Sequence, residues 1–153
     1  MSRFASVSLC ILSALVINGC GDAFDKVDDT PPSNFDAKTF PSEKGQIYGA
    51  WEFQLPPNST QQPYRMFFNR ANMIGMEMIC DEGEGKVRAS ALSAGKIEAN
   101  TFTFTQDLNG SAKNDKGELC SFSWSARQSI FFVQDEVLTI QLGGTPSTFK
   151  RLW

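Results

Sequence analysis

The sequence predicts an all-β domain, an antiparallel up-and-down barrel of eight or nine strands, with a two-sheet β-sandwich as the alternative. From residue 46 onward, short segments rich in Phe, Thr, Val and Ile are separated by Gly, Asn and Pro. No segment sustains a helical period, which is typical of β-structure. Apolar and polar residues alternate within several segments, so one face of the sheet is expected to be buried. Closing such a sheet into a barrel removes its exposed edges.

The individual strands are predicted from alternation and from the turn residues between them. Alternation is clearest at residues 51–55, 76–80 and 120–125, where in the last case apolar residues alternate with serines. The predicted strands span 46–55, 63–69, 73–80, 86–93, 96–105, 118–126, 129–134, 137–142 and 147–152. If successive strands alternate in direction, the connections at 56–62, 81–85, 107–117 and 134–136 share one end. The connections at 69–72, around Gly95, at 126–129 and at 143–147 share the other.

The N-terminus has the pattern of a secretory signal. One cation, Arg3, precedes an uncharged apolar stretch over residues 4–17, which is too short to span a bilayer as a helix. The sequence Ile17-Asn18-Gly19-Cys20 resembles the lipobox of bacterial lipoproteins, and this resemblance implies lipid attachment at Cys20. Two or more acyl chains would hold the protein stably on a membrane. An ordinary cleaved signal with an incidental cysteine is the alternative.

Three regions follow from these patterns. Residues 1–19 are predicted to be the lipoprotein signal peptide, 20–45 a flexible tether and 46–153 the barrel domain. The tether range contains three prolines, six acids and no apolar periodicity. Its alternative role is to dock on a partner through Phe24, Phe35 and Phe40. Gly21, in place of the aspartate that is typical of inner-membrane retention, favours the outer membrane of the bacterial envelope, facing the periplasm.

Composition excludes several functional classes. The chain has 14 Lys plus Arg, 17 Asp plus Glu and no histidine. No basic patch is visible, so nucleic acid is not an expected partner. The missing histidine excludes Ser-His and Cys-His nucleophile pairs and His-ligated zinc. We therefore expect no catalytic residues, no metal site and no cofactor, and a protein that is not an enzyme.

The four cysteines separate by position. Cys10 lies in the signal and Cys20 is the lipid acceptor, which leaves Cys80 and Cys120. In an oxidising compartment this pair predicts a disulfide. A free pair or a two-thiolate metal site is the alternative.

Two short motifs resemble those of lipocalin-like, or calycin, barrels. Gly49-Ala50-Trp51 is similar to the Gly-x-Trp signature on the first strand, and Phe149-Lys150-Arg151 is similar to the closing basic segment. In that family a basic side chain packs over the tryptophan at the closed end. The resemblance therefore implies that Trp51 pairs with Arg151, or with Lys150 if the register slips by one residue.

Two functions of different class follow from the predicted fold. The first is a lipid-anchored envelope binding protein whose barrel mouth takes a small apolar ligand or an envelope component. The second is a periplasmic protein-interaction or inhibitor-type lipoprotein with a filled barrel. Inward-facing side chains that could contact a ligand are Phe53, Met76, Met78, Phe122 and Trp124. An open apolar cavity would favour the first function, and a filled barrel with a protruding 107–117 loop the second.

Overall fold

The computed structural model describes residues 32–81, 85–141 and 145–153. These residues contain ten β-strands, and the strand bounds are β1 (Gly49–Phe53), β2 (Tyr64–Phe68), β3 (Met73–Asp81), β4 (Lys86–Glu98), β5 (Thr101–Phe104), β6 (Leu108–Lys113), β7 (Leu119–Trp124), β8 (Gln128–Gln134), β9 (Val137–Gln141) and β10 (Ser147–Arg151).

Eight of the strands close into an antiparallel barrel, in the order β1-β10-β9-β8-β5-β4-β3-β2. Closure occurs between the first and last strands, where Trp51 lies opposite Arg151 and Phe53 opposite Phe149. The predicted all-β barrel is confirmed, and the sandwich alternative is not adopted. Each barrel strand has a paired neighbour on both sides, so no strand of the barrel stands at a sheet edge.

Strands β6 and β7 form a separate two-stranded hairpin that follows β5 and precedes β8. The prediction of a loop over 107–117 is therefore wrong for residues 108–113. The turn is confined to 114–118, where the Asn114 side-chain oxygen accepts the amides of Lys116 and Glu118. Gly110 lies opposite Phe122, and a Cβ at Gly110 would fall 2.3 Å from that ring. Glycine here therefore permits close packing, although Asn-Gly in sequence is a turn signal.

Gly95 was expected to mark a turn, but β4 runs through it as one strand of 13 residues. The reversal comes at residues 99–100, where Ala99 has a positive φ of 49°. A Cβ at Gly95 would lie 2.3 Å from Ile74 Cδ1 and 3.0 Å from the Thr103 carbonyl oxygen. Gly95 is thus required by close packing inside a strand, and the turn prediction was wrong for that reason.

The predicted grouping of connections is wrong from the connection at 126–129 onward. β7 and β8 run in the same direction through a bend at 125–127, in which the Ala126 amide donates to Asp107 at 2.6 Å. The predicted strands 118–126 and 129–134 therefore cross the barrel once in a single direction, and not twice in opposite directions. Consequently the turn at 135–136 lies at the end that carries Trp51 and Arg151, whereas β9 ends and β10 begins at the other end.

The barrel interior is filled by large apolar side chains. The members that are fully buried include Trp51, Met66, Phe68, Ile74, Phe102, Leu108, Leu138, Ile140 and Phe149. Side chains with no accessible surface leave no water-sized space beside them. Among the described residues, the middle of the barrel is therefore a packed core without a ligand chamber.

Residues 33–45 pack on the outside of the barrel, which corrects the tether prediction for this part of 20–45. Phe40 is 1% exposed and packs with Phe67 and the half-buried Phe35. The Phe35 ring lies directly on Gly75, where a Cβ would come within 2.9 Å of it. From the C-terminus, Trp153 donates its indole N–H to the Phe40 carbonyl at 3.0 Å. Residues 33–45 and the C-terminal residues thus form a second apolar cluster over β1, β2 and β3.

A buried ion pair fastens this N-terminal arm, defined as residues 33–45. Glu77 on β3 is fully buried and accepts from Arg88 on β4 at 2.5 Å. The same carboxylate accepts the Ser33 hydroxyl at 2.9 Å and the Asn34 amide at 2.8 Å. A buried carboxylate needs partners for its lone pairs, so Glu77, Arg88, Ser33 and the Asn34 amide form one hydrogen-bonded network. No sequence pattern indicated this network.

Candidate functional site

The closed end of the barrel is built around Trp51 and Arg151. The Arg151 guanidinium carbon lies 4.1 Å from the centre of the Trp51 ring, and the Trp51 indole N–H donates to the Ile47 carbonyl at 2.6 Å. Gly49 has a φ of 123°, and a Cβ there would lie 3.0 Å from the guanidinium. The Gly-x-Trp spacing therefore leaves room for the basic group above the ring.

Arg151 also holds the chain that leads into β1. Its guanidinium donates to the carbonyl oxygens of Tyr48 at 2.8 Å, Gln46 at 2.9 Å and Glu43 at 3.1 Å, and pairs with the carboxylate of Glu136. The side chain is 8% exposed. Because three carbonyls and an aromatic face converge on one cation, Arg151 closes this end of the barrel.

Arg151→Met is expected to lower the free energy of unfolding by about 2–3 kcal/mol, since it removes the cation–π contact and several charge-assisted hydrogen bonds. The matched control is Lys150→Met, on the neighbouring exposed position of the same strand. That change is expected to cost about 0.5 kcal/mol or less. Urea denaturation of both variants measures the difference, and equal losses would contradict the role given to Arg151.

At the opposite end, the β6–β7 hairpin packs against β3 and β4. Cys80 on β3 and Cys120 on β7 form a disulfide with 5.7 Å between their Cα atoms. Val87, Ala89 and the half-buried Met78 surround the bridge in a small apolar cluster. The disulfide therefore ties the hairpin to β3 at this end of the barrel.

The described residues at the mouth form an aromatic cleft of about 350 Å³. We call it the mouth cleft, and its lining consists of Phe53, Gln61, Gln62, Tyr64, Met78 and Ser147. The rings of Phe53 and Tyr64 stack with their centres 4.5 Å apart. Apolar side chains form its walls, while the two glutamines from the β1–β2 loop and Ser147 supply polar groups at its edge. Such a combination is typical of a small-ligand site.

The structure places only some of the residues predicted to contact a ligand at the mouth cleft. Phe53 and Met78 line the mouth cleft. Met76 is 3% exposed in the packed core, so its side chain is not accessible to a ligand. Phe122 packs over Gly110 and against the disulfide cluster. Trp124 does not line the cleft, but its ring packs against the lining residue Tyr64 with 6.3 Å between the ring centres.

Tyr64 is the cleft residue that the sequence analysis missed. Its ring contacts Phe53, Trp124 and Phe149. Its place on β2, directly opposite Met78 on β3, could have been found by extending the alternation of β3 to its neighbour. Burial raises the pKa of Tyr64 to about 12, although a hydrogen bond with Ser147 acts in the opposite direction.

The raised pKa of Tyr64 predicts a loss of stability at high pH. Because the folded state favours the neutral phenol, this contribution is complete below the ordinary pKa of 10.0 and is lost as the pH rises towards about 12. In a Tyr48→Phe variant, which retains Tyr64 as its one tyrosine, tyrosinate absorbance should have its midpoint near 12 rather than 10. A midpoint near 10 in the folded protein would contradict the burial of this phenol.

Comparison of the chain with protein-family models, curated proteins and solved structures finds no match. The resemblance to lipocalin-like barrels therefore remains a prediction from the sequence. Over the described ranges, no helix has the length and apolar character needed to cross a membrane. The same part of the chain contains no cluster of three His, Cys, Asp or Glu side chains that could hold a metal ion.

The lipidation prediction concerns a residue outside the described ones. Cys20 precedes residue 32, where the description begins, as do Phe24 and the signal sequence. Lipid attachment, the signal peptide and the envelope location remain predictions from the sequence.

Proposed function

We propose that this protein is a lipid-anchored binding protein of the bacterial envelope that takes a small apolar ligand, or an apolar part of an envelope component, at its barrel mouth. The observation that carries the proposal is the mouth cleft, where stacked Phe53 and Tyr64 lie beside Met78. The lipobox-like sequence ending at Cys20 supports the anchor. The Cys80–Cys120 disulfide is consistent with an oxidising compartment such as the periplasm.

The packed core limits how the ligand binds. Side chains below the cleft are fully buried, so a ligand seats its apolar group in the mouth and does not enter the barrel. A cleft of about 350 Å³ lies at the small end of the range for ligand pockets. The polar part of the ligand would remain near Gln61 and Gln62, at the solvent edge.

Binding at the mouth is tested with the full chain purified from a bacterial envelope. Native mass spectrometry should show a retained small apolar mass, and the neutral dye N-phenyl-1-naphthylamine should gain fluorescence with the protein. Gln61→Trp fills the cleft from its exposed rim without removing core packing, so it should abolish both signals. Gln106→Trp, at an exposed position between β5 and β6, is the matched control and should retain them. A bare mass together with no dye response would reject the proposal.

The lipid anchor is tested separately. Mass spectrometry of the protein isolated from cells should find an N-terminal Cys20 carrying acyl chains, and Cys20→Ala should release the protein from the membrane fraction. An unmodified cysteine within a retained signal would reject the anchor and leave the cleft proposal intact.

A protein-interaction or inhibitor-type role is the second candidate, and two observations favour it. The barrel core is filled, and the hairpin presents Leu119 with 54% of its surface exposed beside the 114–118 turn. Photo-crosslinking from Glu118 in intact cells would give one discrete protein adduct if this hairpin docks on a partner. The absence of any adduct, with dye binding at the mouth, would reject this candidate in favour of the first.

A further inference from the structure

A larger cleft lies at the closed end of the barrel, away from the mouth. It has a volume of about 550 Å³ and lies between the chain entering β1 (45–48), the β4–β5 turn and the end of β8 (131–134). We call it the end cleft. Its volume falls in the middle of the range typical of small-molecule sites.

The lining of the end cleft contains no charged side chain among the described residues. A charged ligand would find no partner of opposite charge among these lining residues. The cleft is not purely apolar either, because Gln46, Asn100 and Gln134 contribute three carboxamide groups to it. The chemistry of the lining thus selects a neutral ligand that has several hydrogen-bonding groups.

The three carboxamides are available for such a ligand. All three residues are exposed, and none of their side chains makes a hydrogen bond to another described residue. Each carboxamide provides two donors and one acceptor oxygen, which matches hydroxyl groups that both donate and accept.

Aromatic side chains also line the end cleft. Phe132 is 55% exposed, although it is a large aromatic residue on a barrel strand. Tyr48 also lines the cleft, and the Arg70 guanidinium carbon lies 4.9 Å from its ring centre. Aromatic faces beside carboxamides can pack on the C–H surface of a sugar ring while the amides bind its hydroxyls.

A second cleft continues from the first along the outer face of β8 and β9. It measures about 310 Å³, and Phe132 and Gln134 line both clefts. The adjoining wall is formed by Asp135, Val137 and Thr139. A ligand longer than one ring could therefore extend from the end cleft across Phe132.

An extended peptide fits this surface less well. β8 is paired with β9 up to Gln134, whereas its pairing with β5 ends at Ile130 and is followed by one hydrogen bond from the Phe131 amide to the Asn100 carbonyl. The backbone edge without a partner on the β5 side is therefore limited to residues 132–134, and a peptide that added a strand there would gain few main-chain hydrogen bonds. Recognition must come mainly from side chains, which suits a neutral hydroxylated ligand.

We infer that the end cleft and its continuation over Phe132 bind a neutral oligosaccharide. This site is distinct from the mouth cleft and does not depend on the function proposed there. The carbohydrate could come from a soluble saccharide or from a glycan of the envelope, since both present the same ring faces and hydroxyls.

The test is saturation-transfer difference NMR on the full chain with two neutral trisaccharides, maltotriose and triacetylchitotriose. We expect transfer to the ring C–H protons of at least one of them. Phe132→Ala and Gln134→Ala should each weaken binding about tenfold, which corresponds to the loss of one good contact. Both positions are exposed, so neither change removes core packing.

Leu92→Ala is the matched control, because Leu92 is 47% exposed on β4 and lies outside both clefts. It should leave saccharide binding unchanged, as should Gln61→Trp at the mouth. No transfer to either trisaccharide would overturn the inference. Transfer that persists unchanged in Phe132→Ala and Gln134→Ala would overturn it as well. Competition by isolated envelope glycan, but not by glucose polymer, would assign the ligand to the envelope source.

Discussion

Arg88→Met is expected to destabilise the protein by about 3–5 kcal/mol, because it leaves the fully buried Glu77 carboxylate without its charged partner. Methionine retains much of the apolar stem of arginine, so the effect reports on the charge and its hydrogen bonds. Since Glu77 also holds Ser33 and Asn34, the arm over residues 33–45 should become more susceptible to proteolysis. Urea denaturation and limited proteolysis measure the two effects.

Two further variants separate the buried pair from charge removal in general. Lys96→Met breaks the exposed pair with Glu98, whose side chains are 66% and 60% exposed, and should cost about 0.5 kcal/mol or less. Glu77→Gln combined with Arg88→Met should recover at least half of the loss, because the amide oxygen can still accept from Ser33 and Asn34. A loss below about 1 kcal/mol in Arg88→Met would mean that Glu77 is not held as described.

Removal of the Cys80–Cys120 disulfide is expected to cost about 4 kcal/mol. The bridge closes a segment with a sequence separation of 40 residues, and this figure is the chain-entropy value for a loop of that length. Cys80→Ala with Cys120→Ala should therefore lower the urea midpoint strongly. The hairpin should also lose protection from amide hydrogen exchange before the barrel does, since the bridge ties β7 to β3.

The unaltered protein in reductant provides the control for the disulfide. Its midpoint should match that of the double alanine variant, because both lack the same cross-link. Stability within about 1 kcal/mol of the oxidised protein would show that the hairpin is held mainly by packing around Phe122.

The barrel could be predicted from the sequence because alternation depends on local geometry. In β3, Met76 and Cys80 point inward while Glu77 points to the outer face, as the period of two requires. The closing pair of Trp51 and Arg151 could be expected from two short motifs, and the structure places these residues opposite each other. Local pattern was sufficient wherever a residue's role depended on its own strand.

The errors arose where a residue's role depends on a distant neighbour. Gly95 has the appearance of a turn glycine, yet it is needed because the Ile74 side chain occupies the space of its Cβ. Phe35 and Phe40 lie in a proline-containing, charged segment that resembles a tether, but Phe67 on β2 provides an apolar surface for them. No property of these segments alone distinguishes the two outcomes.

In the candidate sites too, residues whose role depends on their own strand were predicted, and residues that depend on distant neighbours were not. Phe53 and Met78 were identified from alternation, whereas Tyr64 and Gln61 join them through pairing and loop placement. The end cleft was not predicted, because Gln46, Asn100 and Gln134 come from three separate regions of the chain. These three residues come together only because the strands close into a barrel.

By itself, the sequence determined the all-β class, the inward and outward faces of the strands and the cysteine pair, because strand periodicity and cysteine count are local or compositional. Tertiary structure alone decided that the barrel is filled, that residues 33–45 form an outer layer and that Glu77 is buried with Arg88. These outcomes depend on which surfaces meet across the sheet. Packing of that kind involves residues far apart in the chain, and no local pattern encodes it.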